Sequence, residues 1–272
     1  MQQKFLDFSR YTSIRIGEKN LVNLIENTQD YYEFLQKFTP KILGKANNLL
    51  IAPNAKNLIL LDKSFDYIKD CGDFLEVGAM TPSKKLFLYA KEHNLGGFEI
   101  LSHLPGCIGG IIKMNAGLKE YEIKSVLDGI LSIKDSYKLE FIASEALNLQ
   151  YRKSAINTLI FAGIFKKNKG FNESLVETFK TMRKNQPKEP SFGSCFKNPQ
   201  GNFAGALIEK VGLKGQRFGK NKNLCFSEIH ANFLVNFGGS TFNEALDLIA
   251  LAQEKVQNAF KITLEKEVQI LE

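Results

Sequence analysis

Residues 96–117 constrain this chain more than any other stretch. They read Gly-Gly-Phe-Glu-Ile-Leu-Ser-His-Leu-Pro-Gly-Cys-Ile-Gly-Gly-Ile-Ile-Lys-Met-Asn-Ala-Gly, with glycines at 96, 97, 106, 109, 110 and 117. The run from Leu104 to Ile112 is too apolar for a linker. Its glycines therefore mark places where backbone presses against a ligand or another segment. A glycine-rich turn entering a short apolar helix also offers N–H groups to a pyrophosphate. A buried structural turn is the alternative. No G-x-G-x-x-G follows a predicted strand, so the dinucleotide-binding Rossmann fingerprint is absent.

The chain has 272 residues, enough for about two domains and a sizeable core. Neither disulfides nor a structural metal are needed to stabilise it. The four cysteines, Cys71, Cys107, Cys195 and Cys225, form no C-x-x-C pair and match no zinc spacing. The net charge is +7, but the lysines are scattered and form no basic block, which argues against nucleic acid and suits small phosphorylated ligands. The first residues lack the apolar core of a secretory signal, and no window approaches 18 apolar residues. The expectation is a cytoplasmic protein with reduced thiols and no membrane partner.

Periodicity predicts mixed helix and strand. Residues 11–17 read as a short strand or extended entry. Thr28 caps a predicted helix over 29–38. Residues 41–51 place Gly44 and two asparagines between apolar runs. That pattern suits an anion-holding nest of N–H groups, or a plain strand–turn–strand. Strands are predicted at 56–61, 74–77, 126–133, 138–142 and 159–165, and helices at 81–93, 171–184 and 203–215. Ala206, Leu207 and Val211 are read as the inward face of the last of these. Thr241 caps a long helix to about residue 260, and residues 264–271 alternate as a strand.

Chemistry concentrates in Pro190-Ser-Phe-Gly-Ser-Cys-Phe-Lys-Asn-Pro199. Its two prolines argue against a regular helix or interior strand and point to a tight loop, an ordinary turn with a buried Phe196 being the plainer alternative. Between them stand a hydroxyl, a thiol, a cation and an amide. Arg152 precedes an apolar run, where a planar fork suits a carboxylate, although an ordinary surface arginine has the same pattern. Lys214 follows a helix where a lysine can reach a diphosphate. Glu265 and Glu267 share one strand face, which is usually a solvated face. His230 reads as a turn residue rather than a catalytic one.

Together these segments resemble one family. Leu104-Pro-Gly-Cys-Ile-Gly-Gly with Met114-Asn-Ala-Gly117 is similar to the P-G-x-x-G-G…M-N-A-G segment of the MurB family, the UDP-N-acetylenolpyruvoylglucosamine reductases. Gly44-Lys-Ala-Asn-Asn-Leu-Leu50 stands where that family has G-x-G-S-N-L-L, and residues 11–17 resemble its Y-T-T-F-R-I-G. Residues 151–154 match Y-R-x-S, residues 190–199 match P-S-A-G-S-x-F-K-N-P, residues 230–236 match H-A-N-F-L-V-N, and residues 264–268 match L-E-P-E-V with Lys266 in place of proline. Ala46-Asn47 replaces the usual Gly-Ser, and residues 118–120 replace the usual Ala-Tyr-Gly.

The resemblance implies an α+β chain of the vanillyl-alcohol oxidase type. Two FAD-binding subdomains at 1–70 and 71–168 are followed by a smaller substrate domain at 169–261 and a returning strand at 262–272. It implies NADPH-dependent, FAD-mediated reduction of UDP-N-acetylglucosamine enolpyruvate to UDP-N-acetylmuramate in peptidoglycan synthesis. NADPH and the sugar nucleotide use one site in turn, and no metal takes part. Carried over residue by residue, the catalytic set is Arg152, Ser194 and Glu267. The cofactor set is Gly44, Asn47, Asn48, Leu49, Pro105, Gly106, Gly109, Gly110, Asn115 and Gly117. The substrate set is Lys197, Asn198 and Lys214. Ser194 rather than Cys195 is read as the acid, because Phe196-Lys-Asn-Pro sets the register. The short spacing from 165 to 190 resembles the type II branch. Two other readings are a flavin oxidase of the same superfamily acting on another substrate and a non-enzymatic basic binding protein.

Overall fold

The computed structural model describes residues 1–272. The chain forms two units. One comprises Met1–Lys4, Val22–Lys45 and Asn57–Lys184, and the other comprises Phe5–Leu21, Ala46–Lys56 and Asn185–Glu272. The units do not follow the sequential segments expected from the sequence: residues 1–70 contribute to both, and residues 169–184 group with the residues before them.

The first unit contains two sheets. Strands Lys19–Ile25, Leu58–Leu61 and Lys41–Leu43 lie parallel in that order, with Gln2–Asp7 at the edge. Their apolar runs suit parallel strands covered on both faces, and Leu58 to Leu61 are all buried. The second sheet is antiparallel, ordered Glu140–Ala143, Leu127–Ser132, Ala162–Lys166, Phe74–Gly78 and Ile68–Asp70. The helix Thr28–Leu35 is capped by Asn27, whose side chain accepts from Asp30 N, one residue earlier than expected. Its Tyr31 hydroxyl accepts from Leu159 N at 3.0 Å, and its ring packs edge-on against Phe161. Residues 159–161, expected in a strand, are instead an extended buried lead-in to Ala162–Lys166.

The second unit is built on the antiparallel sheet Ser191–Ser194, Phe233–Asn236 and Leu224–Phe226, in that order. Ser191–Ser194, read from the sequence as part of a tight loop, is instead a short strand, and it lies at the sheet edge, where a flanking proline is tolerated. Thr241 caps helix Phe242–Phe260 in a complete capping box with Glu244, as the sequence pattern requires. Helix Ala204–Lys210 is shorter than expected. It buries Ala204, Leu207 and Ile208, while Ala206 faces outward.

Two expected strands of this unit do not form as read. Residues 11–17 turn: Thr12 Oγ1 donates to Phe8 O at 2.8 Å and stands 3.1 Å from Ile16 O, and Arg15 adopts φ +56°. Ile14 and Ile16 are nevertheless buried. Of residues 264–271 only Gln269–Leu271 is a regular strand, parallel to Leu49–Ile51. The N–H groups of Glu267 and Val268 both converge on Cys195 O, so a regular ladder cannot run through them. No helix is long and apolar enough to cross a membrane.

Candidate functional site

Ser194 is presented by a β-bulge. Strand Ser191–Ser194 pairs Ser191 with Val235 and Ser194 with Phe233, and the register shifts between them. Gly193 takes φ +83° at that shift, a conformation glycine adopts without strain. Beyond the bulge the chain is held by Asn232. Cys195 N donates to Asn232 O at 2.7 Å, Phe196 N donates to Asn232 Oδ1 at 3.0 Å, and Asn232 Nδ2 donates to Phe196 O at 2.7 Å.

Glu267 is tied to the same point. Cys195 O accepts from Glu267 N at 2.9 Å and from Val268 N at 3.3 Å. Asn48 Nδ2 donates to Glu267 O at 2.9 Å, and Asn48 O accepts from Gln269 N at 3.0 Å. The second unit therefore brings Ser194 and Glu267 together through the backbone of Cys195. The Cys195 side chain is fully buried. Burial, then the neighbouring Glu267 charge, push its thiol pKa well above the usual range. The Cys195 thiol has no solvent-facing surface.

The expected substrate residues all have intramolecular partners. Lys197 Nζ pairs with Glu265 at 2.6 Å, Lys214 Nζ pairs with Glu209 at 2.8 Å, and Asn198 Oδ1 accepts from Ala204 N at 3.0 Å at the start of helix Ala204–Lys210. His230 Nδ1 accepts from Asn232 N at 3.3 Å, which assigns the neutral ring proton to Nε2. Burial first, and the Lys214 charge as well, lower its pKa. In the same unit Ser13 N donates to Ala46 O and Ser13 Oγ donates to Asn47 O. Leu49 is buried in its strand, and Ala46 takes φ +50° where the motif usually has glycine.

In the first unit the glycine-rich loop is fastened mainly through backbone. Ser83 N donates to Gly106 O, and Ser83 Oγ donates to Leu104 O. Helix Ile108–Lys113 follows, but its first two N–H groups are already bonded, Ile108 to Thr81 O and Gly109 to Ala79 O. They are not open to a phosphate, as the sequence had suggested. Gly109 and Gly110 differ accordingly: a Cβ on Gly109 would stand 2.9 Å from Ala79 Cβ, whereas one on Gly110 would meet nothing within 4 Å. A Cβ on Gly44 would stand 3.0 Å from Cys107 Sγ. Pro105 is exposed.

Asn115 is fully buried with φ +40°. Its Nδ2 donates to Gln150 O at 3.1 Å, while its Oδ1 is buried with no hydrogen-bond partner. A buried amide oxygen of this kind is costly unless a donor meets it. Gly117 opens the hairpin of Gly117–Leu118 and Tyr121–Glu122, and its carbonyl accepts from Arg152 Nη2 at 2.5 Å. Arg152 sits in a tight turn closed by Gln150 and Lys153, at φ +55°. A non-glycine residue held there costs on the order of 1–2 kcal/mol, and such conformations cluster at functional positions.

Two residues of this environment escaped sequence reasoning. Arg183 was visible only as a cation at a helix end. Its guanidinium donates to His103 O, and burial, then the Arg152 charge, lower its pKa. The signal was its spacing of four from Phe179, whose ring packs on Tyr121. Asn232 was read only as part of a motif around His230.

Comparison with known proteins adds an independent line. A family model described as UDP-N-acetylenolpyruvoylglucosamine reductase, C-terminal domain, matches residues 186–271. The chain is 48% identical to the UDP-N-acetylenolpyruvoylglucosamine reductase of Helicobacter hepaticus, covering 100% of each. It is 43% identical to the protein of that name from Campylobacter jejuni, covering 98% of this chain and 99% of the other. Among solved structures, the MurB of Thermus caldophilus superposes with a TM-score of 0.87 at 28% identity over 100% of both chains.

Proposed function

Because the chain belongs to the UDP-N-acetylenolpyruvoylglucosamine reductase family, an oxidoreductase family of peptidoglycan synthesis, we propose that it reduces UDP-N-acetylglucosamine enolpyruvate to UDP-N-acetylmuramate in the cytoplasm, using NADPH and FAD. The observation that carries this reading is the junction at Cys195, which holds the hydroxyl of Ser194 and the carboxyl of Glu267 on adjoining, hydrogen-bonded backbone.

The residues fit a bulky polar cofactor. The open face of Gly110 leaves room for close approach, and Asn115 Oδ1 is an acceptor in want of a donor. The proposed flavin contacts are Asn47, Asn48, Pro105, Gly106, Gly110 and Asn115. Gly44, Gly109 and Gly117 shape those loops by allowing backbone to pack closely, and Leu49 anchors the strand behind the asparagines. When bound, the flavin supplies a hydride relay from NADPH to the enolpyruvyl double bond.

The chain's own work is to place charge and a proton. Hydride addition to the vinyl carbon builds negative charge on the substrate carboxylate. The Arg152 fork, with its plane set by the bond to Gly117 O, matches a carboxylate and strengthens as that charge grows. Glu267, in its protonated form in a dry site, donates a hydrogen bond to the same enol-like system. Ser194 Oγ–H delivers a proton to the adjacent carbon. Lys197, Asn198 and Lys214 exchange their internal partners for the sugar nucleotide.

A direct test is the absorbance spectrum of the purified protein. A yellow protein that bleaches with NADPH and regains colour on adding the enolpyruvyl sugar nucleotide supports the reading. Colour that returns only with oxygen defeats it.

A further inference from the structure

We propose that Asn232 is a positioning residue that locks Ser194 and Glu267 into a single rigid couple, so that the proton donor and the terminal acid are set by one side-chain amide. The proposal rests on the reaction assigned above and deepens it.

Regular pairing of strand Ser191–Ser194 with its neighbour ends at Ser194: Cys195 N still reaches Asn232 O, but no backbone group meets the N–H and C=O of Phe196. Buried N–H and C=O groups left unpaired would be costly, and Phe196 is fully buried. Asn232, itself 3% exposed, replaces the missing strand. Its side-chain amide offers one acceptor and one donor with the spacing of a peptide group. Both engage Phe196, at 3.0 and 2.7 Å, while its own carbonyl takes Cys195 N at 2.7 Å. Only asparagine presents both functions at that reach. Aspartate lacks the donor, and glutamine is one methylene too long.

The peptide so held is the one that carries the second partner. Cys195 has its N–H on Asn232 and its carbonyl on the N–H groups of Glu267 and Val268. A displacement of Asn232 therefore moves Ser194, by covalent connection, and Glu267, by hydrogen bond, together. His230 Nδ1 holds Asn232 N in turn, which explains a histidine with a turn role beside a catalytic strand. The Cys195 side chain seals the junction and has no other visible task.

The test uses the holoenzyme with Asn232→Ala, followed in stopped flow through each half-reaction. The rate of flavin reduction by NADPH is expected to stay within about twofold, while reoxidation by the enolpyruvyl sugar nucleotide falls about 10²-fold, the scale of a donor misplaced by about 1 Å. The solvent deuterium isotope effect on reoxidation should rise as proton delivery becomes limiting. Parallel loss of both half-reactions, or unaltered reoxidation, overturns the proposal. Should Asn232→Ala not fold, Asn232→Ser, whose hydroxyl retains part of the pairing, is read by the same criteria with a smaller loss.

A second readout needs no turnover. Peptide-level alkylation by iodoacetamide should detect Cys195 in the variant while Cys107, buried in the other unit, stays protected. Cys195 protected as in the parent chain overturns the lock. If the parent chain itself is not reoxidised by the sugar nucleotide, the functional reading fails, and alkylation still decides the lock.

Discussion

In the unit containing residues 57–184, the glycine-rich loop is fastened mostly by backbone to backbone: Gly106 to Ser83, Ile108 to Thr81, Gly109 to Ala79. In the unit containing residues 185–272, the catalytic strand is fastened by asparagine side chains that imitate peptide groups, Asn232 on Phe196 and Asn48 on Glu267. The first arrangement leaves Gly110 with open space where a Cβ would stand. The second fixes the backbone on which Ser194 and Glu267 stand. On the proposed function, the first arrangement would serve the cofactor and the second the proton donor. Backbone contacts tolerate the identity of most side chains but not the addition of a Cβ. Amide braces tolerate added atoms nearby but not the loss of one functional group.

The largest expected effect lies on the second arrangement. Ser194→Ala should leave a yellow enzyme that NADPH reduces normally, while reoxidation by the enolpyruvyl sugar nucleotide falls about 10²–10⁴-fold, the usual cost of losing a positioned proton donor. Stopped-flow spectra separate the two steps, and a matching collapse of flavin reduction would remove the distinction between the units. Next is a pair of alanines in the first unit. A Cβ on Gly117 would collide with Tyr121 O, so Gly117→Ala should destabilise the fold by about 1–3 kcal/mol in chemical denaturation, as overpacking does. Gly110→Ala has open space, so its stability should hold or rise by as much as about 1 kcal/mol. Its flavin affinity should instead fall, by about tenfold, equivalent to about 1.4 kcal/mol. Fluorescence titration of the apoprotein with FAD measures that loss.

Two smaller effects sharpen the picture. Ala46 occupies φ +50°. Replacing it with glycine should stabilise the chain by about 0.5–1 kcal/mol, because the left-handed strain outweighs the entropy glycine adds to the unfolded state. A fall in melting temperature would refute this. The last effect is a slope with pH. His230 and His103, one in each unit, both have pKa values held below the usual 6.5, burial being the main cause. A base whose folded pKa is depressed binds fewer protons folded than unfolded. The stability it supports is therefore complete above pH 6.5 and is lost as pH falls from there toward the folded value. Urea unfolding between neutral pH and mild acid should show this slope, and His230→Gln should flatten its own share. Protonation also removes the Nδ1 acceptor from Asn232 N, so the second unit should loosen at the catalytic strand.

Much of this molecule was open to reading from one dimension. The capping box at Thr241 and Glu244, the long helix to Phe260 and the antiparallel pair around Asp135 are local patterns, settled by residues a few positions apart. The motif order pointed to Arg152, Ser194 and Glu267 because each motif is contiguous. The unread parts share a different cause. Whether residues 264–268 form a ladder depends on where Cys195 O lies, and Cys195 is some seventy positions away. The N–H groups of Ile108 and Gly109 looked available until the carbonyls of Thr81 and Ala79 arrived from the preceding strand and turn.

Sequence by itself determined the cap of the long helix at Thr241 and the mixture of helices and strands, since capping chemistry and side-chain periodicity act over a few residues. Tertiary structure alone decided what Asn232, Arg183 and Asn115 do. An amide or a guanidinium satisfies water, a turn or a distant backbone group with nearly equal free energy, and only the folded chain determines which buried groups are left needing a partner.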